Sequence, residues 1–154
     1  MKNLKFVSAT FSNKKKQIEV CYSNGKVAVV HFGALGVKKL LKEIEVDRET
    51  RGKSLKLIFS DGSVDYLPYD QPLALTNDPE YLLQVHIERV IAKIRAAIVK
   101  KGISKRYLAE RLDTSDNQIQ RLLNPEILNK NLSQLYKIAD LVGLDFEVHI
   151  KDVA

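Results

Sequence analysis

The sequence contains three polar side chains that can each form a pair of hydrogen bonds, at Asn117, Gln120 and Arg121. All three lie within a segment that predicts a short helix. The apolar residues Ile119 and Leu122 fall on the opposite face of that helix. A side-chain amide can bond two atoms of an adenine edge, and a guanidinium can bond a guanine edge or a phosphate. The pattern therefore predicts a helix that contacts DNA bases, and the alternative is a solvated face used for protein contact.

Another short helix is predicted immediately before this one, and it must hold the polar face in place. Its apolar positions are Leu108, Ala109 and Leu112, and the small Ala109 allows a second helix to cross closely. Two short helices joined by a tight turn are typical of a helix-turn-helix, whose second helix enters the major groove.

Basic residues are concentrated around this helix pair. Residues 89–130 contain ten Lys or Arg and four Asp or Glu, whereas residues 131–154 contain two and four. The whole chain of 154 residues has a net charge of +6. A local basic excess is expected of a surface that faces phosphates, and the alternative is a solvated helix surface that happens to be rich in Lys.

The candidate DNA contacts lie at the start of the first helix, along the second, and in the loop that follows. They are Ser104, Lys105, Arg106, Ser115, Asp116, Asn117, Gln118, Gln120, Arg121, Asn124 and Lys130. Ser104 and Lys105 would meet a phosphate at a helix N-terminus, although Ser104 can also act as a plain cap. Asn124 and Lys130 would contact the DNA backbone or belong to a polar loop. Asp116 would repel phosphate unless it accepts from a cytosine amino group.

The stretch from about Ile87 to Ile150 resembles the lambda-repressor/Cro (Xre-type) helix-turn-helix family, including antitoxin-like bacterial regulators. Residues 103–109 are similar to the opening of the family's second helix, 115–123 to its recognition helix and 135–144 to its closing helix. The resemblance implies a sequence-specific transcriptional regulator that binds double-stranded DNA with its recognition helix, 116–124, in the major groove. The family usually has glycine at the turn position that Asp113 occupies, and Asp tolerates the left-handed conformation required there better than most residues. A homodimer is expected because one recognition helix rarely gives enough affinity, and paired half-sites lie about one helical turn apart.

The first half of the chain, residues 1–77, predicts a β-rich module of four or five antiparallel strands. Two hairpins centre on Ser23-Asn24-Gly25 and Ser60-Asp61-Gly62, and Asn-Gly favours a type I′ turn. The similar hairpins indicate either an internal duplication or the same turn chemistry used twice. Residues 37–44 have helical apolar spacing and predict one short helix. This half loosely resembles an uncharacterised bacterial domain found ahead of helix-turn-helix domains, which implies architecture and no chemistry.

The second half, residues 78–154, predicts a helical DNA-binding domain. A long helix begins at Asp78-Pro79 and runs to Lys101, a later helix spans Leu132–Val142, and Asp145–Ile150 alternates as a terminal strand. The predicted fold class is α+β. It combines an N-terminal antiparallel β-rich module with one short helix and a C-terminal all-α helix-turn-helix bundle with a terminal strand.

Other chemistries find little support in the sequence. Cys21 is the single cysteine, which excludes an internal disulfide and favours a cytoplasmic protein. His31, His86 and His149 lack the spacing of a zinc site, so we expect no metal. No nucleophile–base pair, phosphate-binding loop or dinucleotide motif is found, so we expect neither catalytic residues nor a cofactor. No apolar run approaches the roughly 20 residues that span a bilayer, which argues against a membrane partner.

A second function fits the same sequence. In this alternative the chain is an antitoxin-like protein or adaptor, whose N-terminal module binds a partner protein while DNA binding is secondary or lost. The basic face with Arg121 favours the DNA-binding regulator, and Asp116 favours the alternative. In either case the dimer contact would come from the long helix, the N-terminal module or the terminal strand.

Overall fold

The computed structural model describes residues 3–153. The chain divides into two compact units, Met1–Leu82 and Leu83–Ala154. Among the described residues, strands occur only in the first unit, and the second is built from helices. The long helix α3 (Pro79–Lys101) begins in the first unit and continues in the second.

The first unit contains two sheets, each with three antiparallel strands and each followed by a short helix. The first sheet comprises β1 (Phe6–Ser12), β2 (Gln17–Tyr22) and β3 (Val27–His31), and α1 (Phe32–Leu35) follows. The second comprises β4 (Leu41–Val46), β5 (Ser54–Phe59) and β6 (Val64–Pro68), and α2 (Gln71–Leu75) follows. Strand order follows the chain in both sheets.

Alternating apolar residues explain why the central strands lie where they do. In β2 every second residue is buried, namely Ile18, Val20 and Tyr22. In β5 the buried apolar residues are Leu55, Leu57 and Phe59. Because side chains alternate between the faces of a strand, both strands turn one apolar face inward. Their inward faces contribute to a shared core, which also includes Phe6, Phe32, Leu41, Leu67 and Leu73.

The two halves of this unit make matching backbone contacts. The Ser23 amide donates to the Lys5 carbonyl at 2.9 Å, and the Ser60 amide donates to the Leu40 carbonyl at the same distance. A β-bulge also follows the first residue of β1 and the first residue of β4. This correspondence favours duplication over two unrelated uses of the same turn.

The hairpins form as predicted, but their turns are of another type. Gly25 has a φ of 85° and Gly62 a φ of 84°, whereas Asn24 does not have a positive φ. The Gly25 amide donates to the Tyr22 carbonyl at 2.9 Å, and the Asn24 side chain accepts from the Lys26 amide at 3.0 Å. This is a tight turn followed by one left-handed glycine, so the expected type I′ turn is wrong.

The helix predicted over residues 37–44 is also wrong, because this segment leads into β4. The bulge between Leu41 and Glu43 inserts one extra residue into the strand. As a result the inward positions are Leu41, Ile44 and Val46, and the first two are three residues apart. Apolar residues three positions apart are also typical of one face of a helix. The bulge therefore explains why the apolar spacing of this segment predicted a helix.

Helices of the second unit match the predicted positions closely. They are α4 (Lys105–Arg111), α5 (Asp116–Leu122) and α6 (Leu132–Leu141), which pack with the continuation of α3. At the start of α3, the Asp78 carboxylate accepts from the Tyr81 amide at 2.9 Å, as expected of a cap. Gly102, at a φ of 63°, ends α3 in the left-handed conformation.

The predicted fold class is nevertheless wrong in the number and arrangement of its strands and helices. The first unit has two three-stranded sheets and two short helices within its described part, instead of four or five strands and one helix. Residues 145–150 form no strand in the described chain. A strand requires a hydrogen-bonded neighbour, and the backbone of these residues finds none between residues 3 and 153.

Among the described helices, none combines the length and the apolar character needed to cross a lipid bilayer.

Candidate nucleic-acid interface

Serine caps fix where α4 and α5 begin. The Ser104 hydroxyl accepts from the Tyr107 amide at 3.0 Å, and the Ser115 hydroxyl accepts from the Gln118 amide at 3.2 Å. Each cap satisfies an amide that the first turn of a helix leaves without an intrahelical partner. These two predicted contact residues therefore have a structural role at the helix starts, and both remain exposed there.

The turn between α4 and α5 spans residues 112–115. Asp113 adopts a φ of 52°, which confirms the left-handed position predicted for it. The Thr114 amide donates back to the Ala109 carbonyl at 2.9 Å and closes the end of α4. Ala109 is buried in the core of this unit, where its small side chain allows the two helices to approach closely.

One face of α5 is apolar and buried, and the other is polar and exposed. Ile119 and Leu122 are buried in the core of the second unit. The exposed residues of the helix are Asp116, Asn117, Gln118, Gln120 and Arg121. Residues three and four apart lie side by side on a helix, so Asn117, Gln120 and Arg121 share one surface. This surface offers two amides and one guanidinium in a row.

The DNA contacts predicted on α4, Lys105 and Arg106, lie in its first turn. Lys105 and Arg106 are exposed. The Arg106 guanidinium lies 3.5 Å from the Glu110 carboxylate one turn later, in a pair whose two side chains are both largely exposed. An exposed pair of this kind is weak, so a phosphate can compete for Arg106.

Lys130 has a different environment from the one predicted for it. Its ammonium donates to the carbonyl of Arg121 at 2.8 Å and to the carbonyl of Asn124. Burial, with the neighbouring guanidinium groups of Arg121 and Arg95, holds the pKa of Lys130 below its usual range. The side chain thus closes the C-terminal end of α5, where carbonyls lack helical partners. Lys130 positions the helix rather than extending outward from it.

The loop after α5 is also organised by side-chain caps. Asn124 accepts from the Glu126 amide at 2.9 Å, and Asn131 caps α6 by accepting from the Gln134 amide at 3.0 Å. A cleft of about 360 Å³ is lined by residues of α5, of the loop that follows it and of α6, and its mainly polar lining includes Gln118, Arg121, Asn129 and Gln134. Gln134 was not predicted from the sequence as a site residue, although Asn131-x-x-Gln134 has the spacing of a capping box.

The first unit has a surface groove of its own. It has a volume of about 750 Å³ and is lined by Val7, Glu45, Val46, Asp47, Arg48, Glu49, Lys56 and Tyr66. Its charged residues are of both signs, and its apolar part includes the exposed side chains of Val7 and Tyr66. Between residues 3 and 153, no three His, Cys, Asp or Glu side chains come together in a way that would hold a metal ion.

No protein-family model matches the chain, and no curated protein or solved structure is significantly similar to it. A capped helix with two amides and a guanidinium on one exposed face can donate and accept hydrogen bonds along a polar surface, and the exposed cations Lys105 and Arg106 at the start of α4 can bind anions.

Proposed function

We propose that this protein is a sequence-specific DNA-binding transcriptional regulator of the Xre type. In this proposal α5 is the recognition helix and lies in the major groove of double-stranded DNA. Asn117 and Gln120 bond adenine edges, and Arg121 bonds a guanine edge. The protein acts as a homodimer, because a single short recognition helix gives little affinity and two half-sites give more.

The observation that supports the proposal most directly is the exposed row on α5. Asn117, Gln120 and Arg121 are exposed while Ile119 and Leu122 anchor the helix from behind. Solvated helix faces more often have mixed Lys and Glu, which form pairs along the helix. A row of amides beside an arginine is instead the side-chain set that bonds base edges in pairs.

The charges around α5 are consistent with a phosphate-facing surface. Lys105 and Arg106 lie at the start of α4, where backbone amides and the helix dipole also favour an anion. Asp116 stands among the exposed residues of α5 and opposes phosphate binding. Its carboxylate favours a site in which it accepts from a cytosine amino group, so we expect a cytosine next to the bases contacted by Asn117.

The test is selection of bound fragments from random duplex DNA by the full chain, followed by affinity titration of the enriched sequence. Asn117→Ala and Arg121→Ala each remove one base contact and should weaken binding by about 5- to 100-fold, with relaxed preference at one position. Lys137→Ala is the matched control, because Lys137 is an exposed cation on α6 and should leave the sequence preference unchanged. The affinity should fall steeply as salt increases.

Absence of an enriched sequence would contradict the proposal. So would an enriched sequence whose affinity is equally insensitive to Asn117→Ala, Arg121→Ala and Lys137→Ala, because α5 would then not contact the bases.

A second candidate function is an antitoxin-like or adaptor role, in which the first unit binds a partner protein. The observation that favours it is the groove of the first unit, where Val7 and Tyr66 leave apolar surface exposed. Exposed apolar surface within a groove is typical of contact sites. Under this alternative Tyr66→Ser abolishes binding of the co-expressed partner protein, whereas Asn117→Ala does not. The selection from random duplex DNA then gives no enriched sequence.

A further inference from the structure

Four exposed lysines of the first unit belong to two segments that are held together, the turn between β1 and β2 and the start of β4. The Asn13 side chain joins the segments, because its nitrogen donates to the Leu41 carbonyl at 2.9 Å and its oxygen accepts from the Leu41 amide at 3.0 Å. We call the four residues the lysine patch. They are Lys14, Lys15 and Lys16 of the turn and Lys42 of β4.

The fold uses the backbone of the turn but not its ammonium groups. The Lys16 carbonyl accepts from the Phe32 amide at 2.8 Å, and the Lys15 amide donates to the Ser12 hydroxyl at 3.1 Å. All four side chains of the patch are exposed, and none of them pairs with a carboxylate between residues 3 and 153. Cations that no acid neutralises repel one another, and a bound polyanion relieves that repulsion.

The other half of the unit provides an internal comparison. There the turn between β4 and β5, residues 47–53, meets the start of β1, and the Phe6 amide donates to the Gly52 carbonyl at 2.8 Å. Acidic residues, Asp47 and Glu49, lie within this turn. The exposed cations beside them are Lys5, Arg48 and Arg51. Matching backbone contacts thus carry charges of both signs in one half and only positive charges in the other, so the fold itself does not require a purely basic turn.

We infer that the lysine patch is a second DNA-binding surface, which contacts the phosphate backbone of double-stranded DNA irrespective of sequence. An ammonium group is a compact point charge that binds phosphate oxygens without the paired geometry of a guanidinium. The inference rests on the proposed function only for the choice of DNA as the polyanion. It goes beyond that function, because no residue of the patch belongs to α4 or α5.

An anionic lipid surface is the competing polyanion. Leu40 is 63% exposed and lies two residues before Lys42, and lysines beside an exposed apolar residue also suit a membrane. However, stable attachment to a membrane takes a lipid chain or an amphipathic helix in addition to basic residues, and Leu40 precedes a strand. A cationic surface that is covalently joined to a DNA-binding helix instead gains from a high effective concentration of DNA. DNA is therefore the favoured ligand.

The first test is the salt dependence of binding by the full chain. The probes are the sequence enriched in the selection and a scrambled duplex of the same length. Lys14→Gln, Lys15→Gln and Lys42→Gln are combined in one variant, which removes three exposed charges. The slope of log affinity against log salt should become shallower by about 2–3, since each phosphate contact contributes about 0.9. The affinity at low salt should fall by at least about 10-fold, and equally for both duplexes.

The matched control removes three charges from the corresponding turn. It combines Lys5→Gln, Arg48→Gln and Arg51→Gln, so both variants change the net charge of the protein equally. The control should change the slope by less than about 1. An equal loss of slope in the two variants would overturn the inference, because only the net charge would then matter.

The second test needs no substitution, so a folding defect cannot affect it. The wild-type chain is acetylated at its lysines with and without an excess of scrambled duplex, and mass spectrometry gives the rate at each position. Bound phosphates should slow the reaction at Lys14, Lys15 and Lys42 by at least about 5-fold, whereas exposed Lys5 should react at the same rate. Equal rates with and without DNA at all of these positions would overturn the inference.

The remaining outcomes separate the patch from its alternatives. If vesicles of phosphatidylserine and phosphatidylcholine bind the wild type but not the patch variant, while the DNA affinity of that variant is unchanged, the patch is a lipid surface and the inference is wrong. If no sequence is enriched but scrambled duplex still protects the patch, the proposed role of α5 fails and the patch stands. An enriched sequence with unprotected patch lysines gives the reverse result.

Discussion

The Asp78 carboxylate makes two kinds of contact where α3 begins, and Asp78→Ala removes both. One oxygen accepts from the Tyr81 amide at 2.9 Å as a helix cap. Both oxygens accept from the Lys26 ammonium, at 3.0 and 2.9 Å. Lys26 also lies 3.0 Å from Glu80. All four residues belong to the first unit, so the substitution tests how its first hairpin is held to the start of the helix.

The expected loss of stability follows from these contacts. A lost N-cap costs about 1 kcal/mol. The ion pair is partly shielded, with side chains 15% exposed at Asp78 and 27% at Lys26, so it contributes about 1 kcal/mol after screening. Asp78→Ala should therefore destabilise the first unit by about 2 kcal/mol. Asp78→Asn keeps a cap acceptor and should cost about 1 kcal/mol, as should Lys26→Met.

Hydrogen–deuterium exchange measures this loss separately for each unit of the full chain. Peptides from β2 and β3 report the opening free energy of the first unit, and peptides from α4 and α5 report that of the second. We expect faster exchange in the first set for Asp78→Ala. The reasoning is refuted if Asp78→Ala costs no more than Asp78→Asn, because the cap would then contribute nothing.

The same carboxylate gives the stability a pH dependence. Burial alone would raise the pKa of Asp78, but hydrogen bonds from Lys26 and the Tyr81 amide outweigh it, and the pKa lies below its ordinary value. The folded state therefore favours the ionised form. Its contribution is complete above the unfolded pKa, about 3.9, and is lost as the pH falls from there through the folded pKa. In acid unfolding, the loss below about pH 4 should be smaller for Asp78→Asn than for the wild type.

Two further predictions concern single positions. Lys130→Met removes the ammonium that bonds the Arg121 carbonyl, and it should lower the stability of the second unit by about 1–2 kcal/mol in the same exchange assay; unchanged exchange would show that burying the charge cancels its bonds. Gly52→Ala places a Cβ 3.0 Å from the Phe6 carbonyl oxygen at a φ of 82°, so thermal unfolding should show a loss of more than about 1 kcal/mol. Gly33→Ala, with open space around it, is the control, and an equal effect of both changes would contradict the steric argument.

The helices of the second unit could be predicted from the sequence because their signals are local. Ser104 and Ser115 stand one residue before α4 and α5, and the apolar positions of α5 repeat at helical spacing. The exposed amide and guanidinium face follows from that period alone. Its use on DNA remains a prediction.

The errors arose where distant or missing neighbours decide the structure. The bulge in β4 depends on pairing with β5, so the spacing of Leu41 and Ile44 could not distinguish a strand from a helix. For Lys130 the sequence left a DNA contact and a polar loop open, and its position gives no sign that its ammonium would donate to carbonyls at the end of α5. Residues 145–150 have the alternation of a strand, but alternation cannot supply the neighbour that a strand requires.

The repeated architecture of the first unit has a consequence for the order of folding. Each half closes all its strand pairs locally, within residues 6–31 and 41–68. Local pairings of this kind have low contact order and form quickly, before distant segments meet. The bond from the Phe6 amide to the Gly52 carbonyl, at 2.8 Å, joins the halves and belongs to a later step. Changes at this junction should accelerate unfolding and leave the rate of folding nearly unaltered.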